Sequence, residues 1–313
     1  MNKISYSANK VKFLLLPVII IVVGIIMYFV HSGFNFDVEF VGGIRMQVNI
    51  EENFSNDDIK DIVKEATGLE ATVQKSSGNT AVIKLPATDA EDGGESNKND
   101  VLEALGEKYT IDENNVEISS AAASFGKQVQ TKALTFTLLA ILCILIYIII
   151  RFEWRSAVMA VIALAINVLV MASVYTITNI AINTTFIAAM LTVVGYSINN
   201  TIVIFDRIRE NMKSRRRSES ISAMTDRSIS ETLGRTINST ITTLITVVLI
   251  YILGVTTIKE FALPLIIGII IGAYTSIFIA STFWAAWKES DVEAKAAAAA
   301  ERRASTTNKK KNK

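Results

Sequence analysis

The sequence has almost none of the residues that bind metals or form disulfides. Its 313 residues include one cysteine and one histidine. Cys143 therefore has no partner for an intramolecular disulfide, and we expect it to be buried in an apolar segment. His31 is more typical of a membrane interface than of a metal site. The sequence also has no phosphate-binding loop and no nucleophile triad, so we expect no enzyme activity, no catalytic residues, no cofactor and no metal.

Long hydrophobic runs, in contrast, dominate the chain. Half of the residues are hydrophobic, only 19% are charged, and the mean hydropathy is +0.39. A bilayer crossing needs roughly 20 mostly apolar residues, and six runs approach this length. We therefore predict a polytopic α-helical membrane protein with six transmembrane helices, at 13–30, 133–150, 157–177, 184–205, 236–255 and 261–284.

Basic residues predict the orientation of these helices, because short loops rich in Lys and Arg stay in the cytoplasm. We expect a basic cytoplasmic loop at 206–235, a cytoplasmic N-terminus at 1–12 and a basic cytoplasmic tail at 286–313. The remaining helices form a bundle within 133–285. The loop contains Arg207, Arg209, Lys213, Arg215, Arg216, Arg217 and Arg227.

The segment 31–132 between the first two spans is then extracytoplasmic and is long enough for a small domain. It contains 19 acidic and nine basic residues. Alternating apolar residues at 44–50 indicate a strand, and 55–68 has the cap and spacing of a helix. Two strands joined at Gly78 and Asn79, a polar loop at 89–100, a helix and a last strand complete the order βαββαβ. This order predicts a ferredoxin-like α+β domain.

Polar residues inside the apolar spans are costly in lipid, and by default they mark a function or a contact between helices. On span four, Ser197, Asn200 and Thr201 share one helix face, and span three contributes Asn167. Two interpretations remain open. These side chains hold helices together by hydrogen bonds, or they line a polar path through the membrane along which an ion or a conformational signal passes. Span five carries the stripe Arg235, Ser239, Thr242, Thr243 and Thr246, and span six carries the small residues Gly268, Gly272, Ser276 and Ala280.

Four motifs resemble those of the SecF family of protein translocase subunits, which are relatives of the RND transporters. GYSINNTIVIFDRIREN in span four closely resembles the family signature, and FDVEFVGG, RFEWR and RTINSTITTL are similar to further family segments. The similarity runs from about residue 11 to residue 285. Besides the polar residues above, the motif positions are Phe40, Gly42, Gly43, Gly195, Tyr196, Asn199, Phe205, Asp206, Arg207, Arg209 and Glu210.

The resemblance implies a subunit of a prokaryotic cytoplasmic membrane that pairs with SecD. It further implies association with the SecYEG channel, with YidC and SecA in the larger translocon, with exported preproteins and with membrane lipids. No nucleic acid is expected. Such a subunit promotes late stages of protein export while ions flow through the membrane helices of SecD and SecF.

The sequence departs from the family pattern where that ion flow is concerned. The family usually has Asp at the position of Asn200 and commonly His-Asp at Ile166 and Asn167, and Glu39 replaces an Asp. Because Asn cannot titrate, we hypothesise that ion coupling depends on a carboxylate of SecD. Arg235 would need a counter-charge from SecD, from Asp206, or from water. An RND-type small-molecule transporter and an assembly scaffold without ion coupling remain the alternatives.

Overall fold

The computed structural model describes the chain in two compact units. We call them the membrane unit, which comprises Met1–Val30, Leu139–Thr178 and Ala188–Lys313, and the α/β unit, which comprises His31–Leu138 and Asn179–Ile187. The fold is mostly helical, with several apolar helices and one small antiparallel sheet. The described residues are 5–76, 79–86, 95–111, 116–121, 123–216 and 218–311.

The α/β unit contains four strands and two longer helices. The strands are β1 (Gly43–Asn49), β2 (Thr72–Ser76), β3 (Thr80–Pro86) and β4 (Glu117–Ala121), and the helices are α3 (Asn56–Thr67) and α4 (Glu95–Lys108). The strands form an antiparallel sheet with the order β2-β3-β1-β4. Along the chain these elements follow the order β1-α3-β2-β3-α4-β4, which is the element order that the sequence predicted.

The loop, the hinge and the first helix that the sequence predicted in this unit can be compared with the structure one by one. The second half of the predicted polar loop 89–100 is helical, because α4 already begins at Glu95. Gly78 of the predicted hinge lies outside the described residues. The ends of α3 follow the predicted chemistry, since the Ser55 hydroxyl accepts a hydrogen bond from the Asp57 N–H and Gly68 ends the helix in the left-handed conformation.

The core of the α/β unit lies on the sheet face that α3 and α4 cover. Along β1, Ile44, Met46 and Val48 belong to this core, as the period of two requires. Arg45 and Gln47 alternate with them and are buried as well. The helices contribute Ile59, Val63, Val101 and Leu105, and β3 contributes Ala81, Ile83 and Leu85.

A buried carboxylate, that of Asp37, lies next to the polar side chains of β1 and β3. Asp37 is fully buried, and its carboxylate lies 3.4 Å from Arg45 Nη1 and 3.3 Å from Lys84 Nζ. It also accepts a hydrogen bond from the Val38 N–H and so caps the short helix α2 (Val38–Val41). One carboxylate therefore joins the segment before β1 to two buried cations on neighbouring strands.

We expect Asp37→Ala to destabilise the α/β unit by about 3–5 kcal/mol, because removal of one member of a buried charge cluster leaves its partners desolvated. Hydrogen exchange of the β1 and β3 amides in the full-length protein measures this loss. The control is Asp61→Ala at an exposed position of α3, where we expect no change. Equal protection in the two variants would refute the stabilising role of Asp37.

The membrane unit is a bundle of long helices. Among the described residues, five helical segments are long and apolar enough to cross a membrane. A further apolar segment, Thr135–Arg151, is shorter. These segments lie at the positions of the six predicted spans, and the number of crossings stays a prediction. The helices are α1 (Lys10–Val30), α5 (Ala123–Arg151), α6 (Trp154–Thr178), α7 (Thr184–Ser214), α8 (Ile221–Leu253), α9 (Thr256–Thr275) and α10 (Ser281–Lys311), with a π-helical turn at Ser276–Ala280.

Two sequence expectations for the membrane unit need correction. The segment 206–235, expected as a loop, is mostly helical because α7 continues to Ser214 and α8 begins at Ile221. Cys143 is exposed and not buried, since α5 presents this position to the outside of the bundle. The side to which Cys143 points was not predictable, because a uniformly apolar span has no polar stripe that distinguishes its buried face.

Close backbone packing positions α1 on α6. A Cβ atom added at Gly24 would lie 2.4 Å from the Ser173 Cβ, so only glycine permits this approach. At its other end, the Phe13 carbonyl accepts a hydrogen bond of 2.7 Å from the Tyr274 hydroxyl of α9. The first helix is thus fixed to both α6 and α9, which carry the polar residues described next.

Candidate functional site

A buried hydrogen-bond network joins three helices in the interior of the membrane unit. Asn167 of α6 is fully buried, and its Nδ2 donates to the Ser197 Oγ of α7 at 2.7 Å. The hydroxyl of Thr275 on α9 donates to Asn167 Oδ1 at 2.6 Å. One amide side chain therefore satisfies partners on both neighbouring helices.

The network continues one turn along α7. The hydroxyls of Thr201 and Ser276 lie 2.8 Å apart, and both residues are buried. Each hydroxyl has one proton to donate. With Ser276 donating to the Gly272 carbonyl at 2.7 Å, Thr201 donates to Ser276, and the Ser197 carbonyl at 3.2 Å is its alternative acceptor. Both hydroxyls therefore have acceptors within the protein, as polar groups in apolar surroundings require.

Two glycines of α9 make this contact possible. A Cβ atom at Gly272 would lie 3.0 Å from both the Cβ and Oγ of Ser197, and one at Gly268 would lie 2.4 Å from a Val193 methyl. The helix then widens into the π-helical turn that starts at Ser276, a distortion that is frequent at functional sites. Small residues therefore allow the helices to approach until their hydroxyls can bond.

Asn200 is also buried, with 3% of its surface exposed, but it is not part of the network. Its Nδ2 donates no hydrogen bond to any described residue. The neighbouring Asn199 is exposed. The two asparagines of the span-four motif thus lie in different environments, and only Asn200 is held inside the bundle.

All members of the network are neutral amides and hydroxyls, which donate and accept hydrogen bonds but do not exchange protons in the working pH range. Within the described ranges, no group of three or more His, Cys, Asp or Glu could bind a metal. The arrangement can hold three helices in one register. It contains no carboxylate that could carry a proton.

The polar stripe of α8 does not join this network. Arg235, Ser239 and Thr242 are exposed, and the Ser239 and Thr242 hydroxyls donate to carbonyls of their own helix. Tyr196 of α7 connects to the stripe, since its hydroxyl lies 3.2 Å from the Ser239 carbonyl and 3.3 Å from the Thr243 hydroxyl. Arg235 makes no ion pair among the described residues.

Charged motif residues pair with one another at the far end of α7. Asp206 lies 3.6 Å from Arg151 at the end of α5. Of the counter-charges expected for Arg235, the structure thus places Asp206 against a different arginine. Arg207 pairs at 2.6 Å with both Glu210 and Glu231 of α8.

The motif residues before β1 lie in the α/β unit. Phe40 is 3% exposed. Gly42 and Gly43 have φ values of 86° and 128°, which L-amino acids with side chains rarely adopt. They turn the chain directly from α2 into β1. Two further motif positions lie on α7. Phe205 packs edge-on against Trp284, with ring centroids 6.1 Å apart. Gly195 is exposed.

Sequence reasoning missed Thr275, which supplies one of the two hydrogen bonds to Asn167. A signal was present, because Thr275 follows Gly272 by three residues and Gly268 by seven, which places it on the glycine face of α9. Reading the small-residue ridge together with its adjacent hydroxyls would have found it.

Comparison with known proteins identifies the family. The family model for the protein export membrane protein SecD/SecF, C-terminal, matches residues 101–290. The SecF protein translocase subunit of Escherichia coli O157:H7 is 31% identical over 278 residues, which cover 88% of this chain and 84% of that protein. The chain belongs to the SecD/SecF family. Family membership makes it an accessory subunit of the Sec protein translocase and a multi-pass membrane protein.

Longer relatives are similar to this chain over part of their length. SecDF of Bacillus subtilis is 31% identical over 302 residues, which are 95% of this chain but 40% of that protein. The crystal structure of SecDF from Thermus thermophilus, described as a translocon-associated membrane protein, has a TM-score of 0.81 and 26% identity. It matches 91% of this chain and 39% of that chain, so the similarity covers most of the chain described here.

We expect Gly268→Ala to lower the stability of the membrane unit by about 1–3 kcal/mol, because the added methyl group overlaps Val193 and forces α9 away from α7. Thermal unfolding in detergent measures the effect. The matched control is Gly195→Ala in α7, where an added Cβ meets nothing within 4 Å. If both variants unfold at the same temperature, close approach at Gly268 is not what holds these helices together.

Proposed function

We propose that the chain acts together with SecD in the cytoplasmic membrane of a prokaryote, and that the partner supplies the titratable group for ion coupling. The observation that carries this proposal is the combination of a neutral buried network with an exposed, unpaired Arg235. Arg235 directly precedes the predicted span 236–255, and a counter-charge stabilises an arginine at the edge of the membrane. The SecDF relatives support SecD as its source, because in them a segment similar to this chain forms part of a longer protein.

For the membrane topology we propose six crossings, with α5 as the sixth. Both termini and the basic segment 206–235 would face the cytoplasm, since Lys and Arg near short connections remain on that side. The α/β unit would then lie outside. We propose that this unit is ferredoxin-like, which the strand order β2-β3-β1-β4 with two connecting helices supports.

The proposed role is in the late stages of export, in contact with preproteins emerging from a SecYEG channel, with YidC and SecA as further translocon components. Movement of the α/β unit would follow changes in the membrane helices. No catalytic step is assigned to the chain in this proposal. The neutral network would act as a brace that keeps α6, α7 and α9 in register while Arg235 responds to the partner's carboxylate.

A scaffold without ion coupling is the second candidate. The observation that favours it is that Asn167 in the network and Asn200 beside it are buried amides, and amides do not exchange protons. In this case Arg235 would serve only to bind SecD, and export would not depend on an ion gradient.

We expect release of a secreted protein from spheroplasts carrying this chain and its SecD to stall when the proton gradient is collapsed, and to continue when the sodium gradient is collapsed. Arg235→Gln should slow release about tenfold, corresponding to about 1.4 kcal/mol, because the partner's charge loses its counter-ion. Arg216→Gln, which removes an exposed arginine elsewhere, is the matched control.

Two asparagine variants complete the experiment. Asn200→Asp buries a carboxylate and should impair release, whereas Asn199→Asp adds the same charge at an exposed position and should not. The result that contradicts coupling is release that ignores both gradients and is equal in the Arg235→Gln and Arg216→Gln strains. That result would leave the scaffold as the function.

A further inference from the structure

We propose that a cavity at the basic end of the membrane unit binds the headgroup of an anionic phospholipid. The cavity has a volume of about 230 Å³ and lies between the α5–α6 turn, the end of α7 and the start of α10. A single ordered water needs only roughly 10–15 Å³ of such volume. The space is therefore sufficient for a group much larger than one water molecule.

The wall of the cavity is mainly apolar. Phe205, Ile208 and Met212 present one side of α7 to it, and Phe152 and Trp284 contribute aromatic surface. Such a wall suits the glycerol and the first methylenes of an acyl chain, because burial of apolar surface is favourable. A small inorganic anion would leave most of this wall uncovered.

Two positive charges at the cavity are uncompensated. Arg209 makes only a long hydrogen bond, 3.4 Å, to the Arg151 carbonyl. Lys213 has no hydrogen bond or ion pair with any described residue. Both line the cavity on the same side of α7, four residues apart. They can therefore act together on one phosphate group.

The other charges near the cavity are already paired. Glu153 accepts hydrogen bonds from Lys288 at 2.7 and 2.9 Å and from Arg155 at 2.7 Å. Partial burial alone would raise the pKa of Glu153, but these hydrogen bonds outweigh it and hold the pKa below its usual value. Arg155 in turn pairs with Asp291 at 2.9 Å. Asp291 also pairs with Lys295 at 3.3 Å. Of this group only Glu153 and Lys288 line the cavity, and their charges cancel, so the net charge of the lining residues is that of Arg209 and Lys213.

The surrounding side chains place the cavity at the depth of lipid headgroups. Trp154 and Trp287 lie edge to face at 5.0 Å, and the Arg155 guanidinium is 4.8 Å from the Trp154 ring. Tryptophan concentrates at membrane–water interfaces. Together with Trp284, these are all three tryptophans of the chain. Basic pockets between membrane helices at this depth are suited to anionic headgroups.

Trp284 adds a polar feature to the wall. It is 4% exposed, and its indole N–H donates no hydrogen bond to a described residue. Buried indole N–H groups usually have a partner. A phosphate or glycerol oxygen in the cavity would supply an acceptor in its neighbourhood.

The test uses the full-length protein with Trp154→Phe and Trp287→Phe, so that Trp284 is its only tryptophan. The protein is reconstituted in phosphatidylcholine vesicles that contain increasing fractions of acyl-brominated phosphatidylglycerol or, in parallel, acyl-brominated phosphatidylcholine. Because Trp284 is shielded from bulk lipid, we expect the anionic lipid to quench its fluorescence at a lower fraction than the zwitterionic lipid. Equal quenching by the two lipids would overturn the proposal.

Charge variants identify the binding residues. Lys213→Gln and Arg209→Gln should each reduce the preference for phosphatidylglycerol about fivefold, the effect of one basic contact at an anionic surface. Arg216→Gln removes a nearby exposed charge that does not line the cavity and should leave the preference unchanged. A loss of preference that is the same in all three variants would show a nonspecific surface attraction and would refute the site.

A competition arm separates lipid from free phosphate. Millimolar inorganic phosphate should not relieve the quenching, because it lacks the apolar part that fills the wall. Relief by phosphate would reassign the cavity to a soluble anion.

Native mass spectrometry of the protein with its tryptophans intact provides an independent measurement. Retention of phosphatidylglycerol over phosphatidylcholine in the unaltered protein, but not in Lys213→Gln, supports the proposal, and equal retention contradicts it.

Discussion

The hydrogen bonds of Asn167 are the interaction on which the membrane unit depends. In an apolar environment a polar side chain must find its partners within the protein, because water is not available to replace them. Asn167 uses its donor for Ser197 and its acceptor for Thr275, which fixes α6, α7 and α9 against one another. The glycines of α9 serve the same purpose, since a larger residue at Gly272 would separate the hydroxyls from the amide. Packing and polar satisfaction thus impose a single register on three helices.

This arrangement bears on how the translocase subunit could be coupled to an ion gradient. A site that binds and releases protons needs a titratable group, and the network consists of amides and hydroxyls. Arg235, which has no ion pair among the described residues, lies on the exposed stripe of α8 and not in the interior. Under the proposed function, coupling would divide between two proteins, with this chain supplying the brace and the cation and SecD the carboxylate. Asp206 is not the counter-charge of Arg235, because its carboxylate pairs with Arg151.

Much of this architecture follows from sequence patterns, for reasons that differ between elements. The helix α3 was predictable because Ser55 and Gly68 are local signals that act regardless of the rest of the fold. Ser197 and Thr201 were predicted on one face because helical spacing alone decides it. The contribution of Thr275 was not predicted, since a hydroxyl on α9 meets Asn167 only through tertiary packing. For the same reason, spacing grouped Ser239 and Thr242 into a stripe but did not show that the stripe is exposed. The helical continuation of α7 past residue 206 was missed because charged residues end a membrane span without ending a helix.

The most direct test of this account is a double-mutant cycle on the unfolding free energy of the detergent-solubilised protein, with Asn167→Ala and Ser197→Ala. If the Asn167–Ser197 hydrogen bond braces the helices, we expect a coupling energy between about 0.6 kcal/mol, the average for hydrogen bonds between membrane helices, and about 1.7 kcal/mol, the largest value. A parallel cycle of Asn167→Ala with Ser239→Ala, on the exposed stripe, should be additive within about 0.5 kcal/mol. If the Asn167 and Ser197 substitutions are also additive, the buried network does not brace the helices.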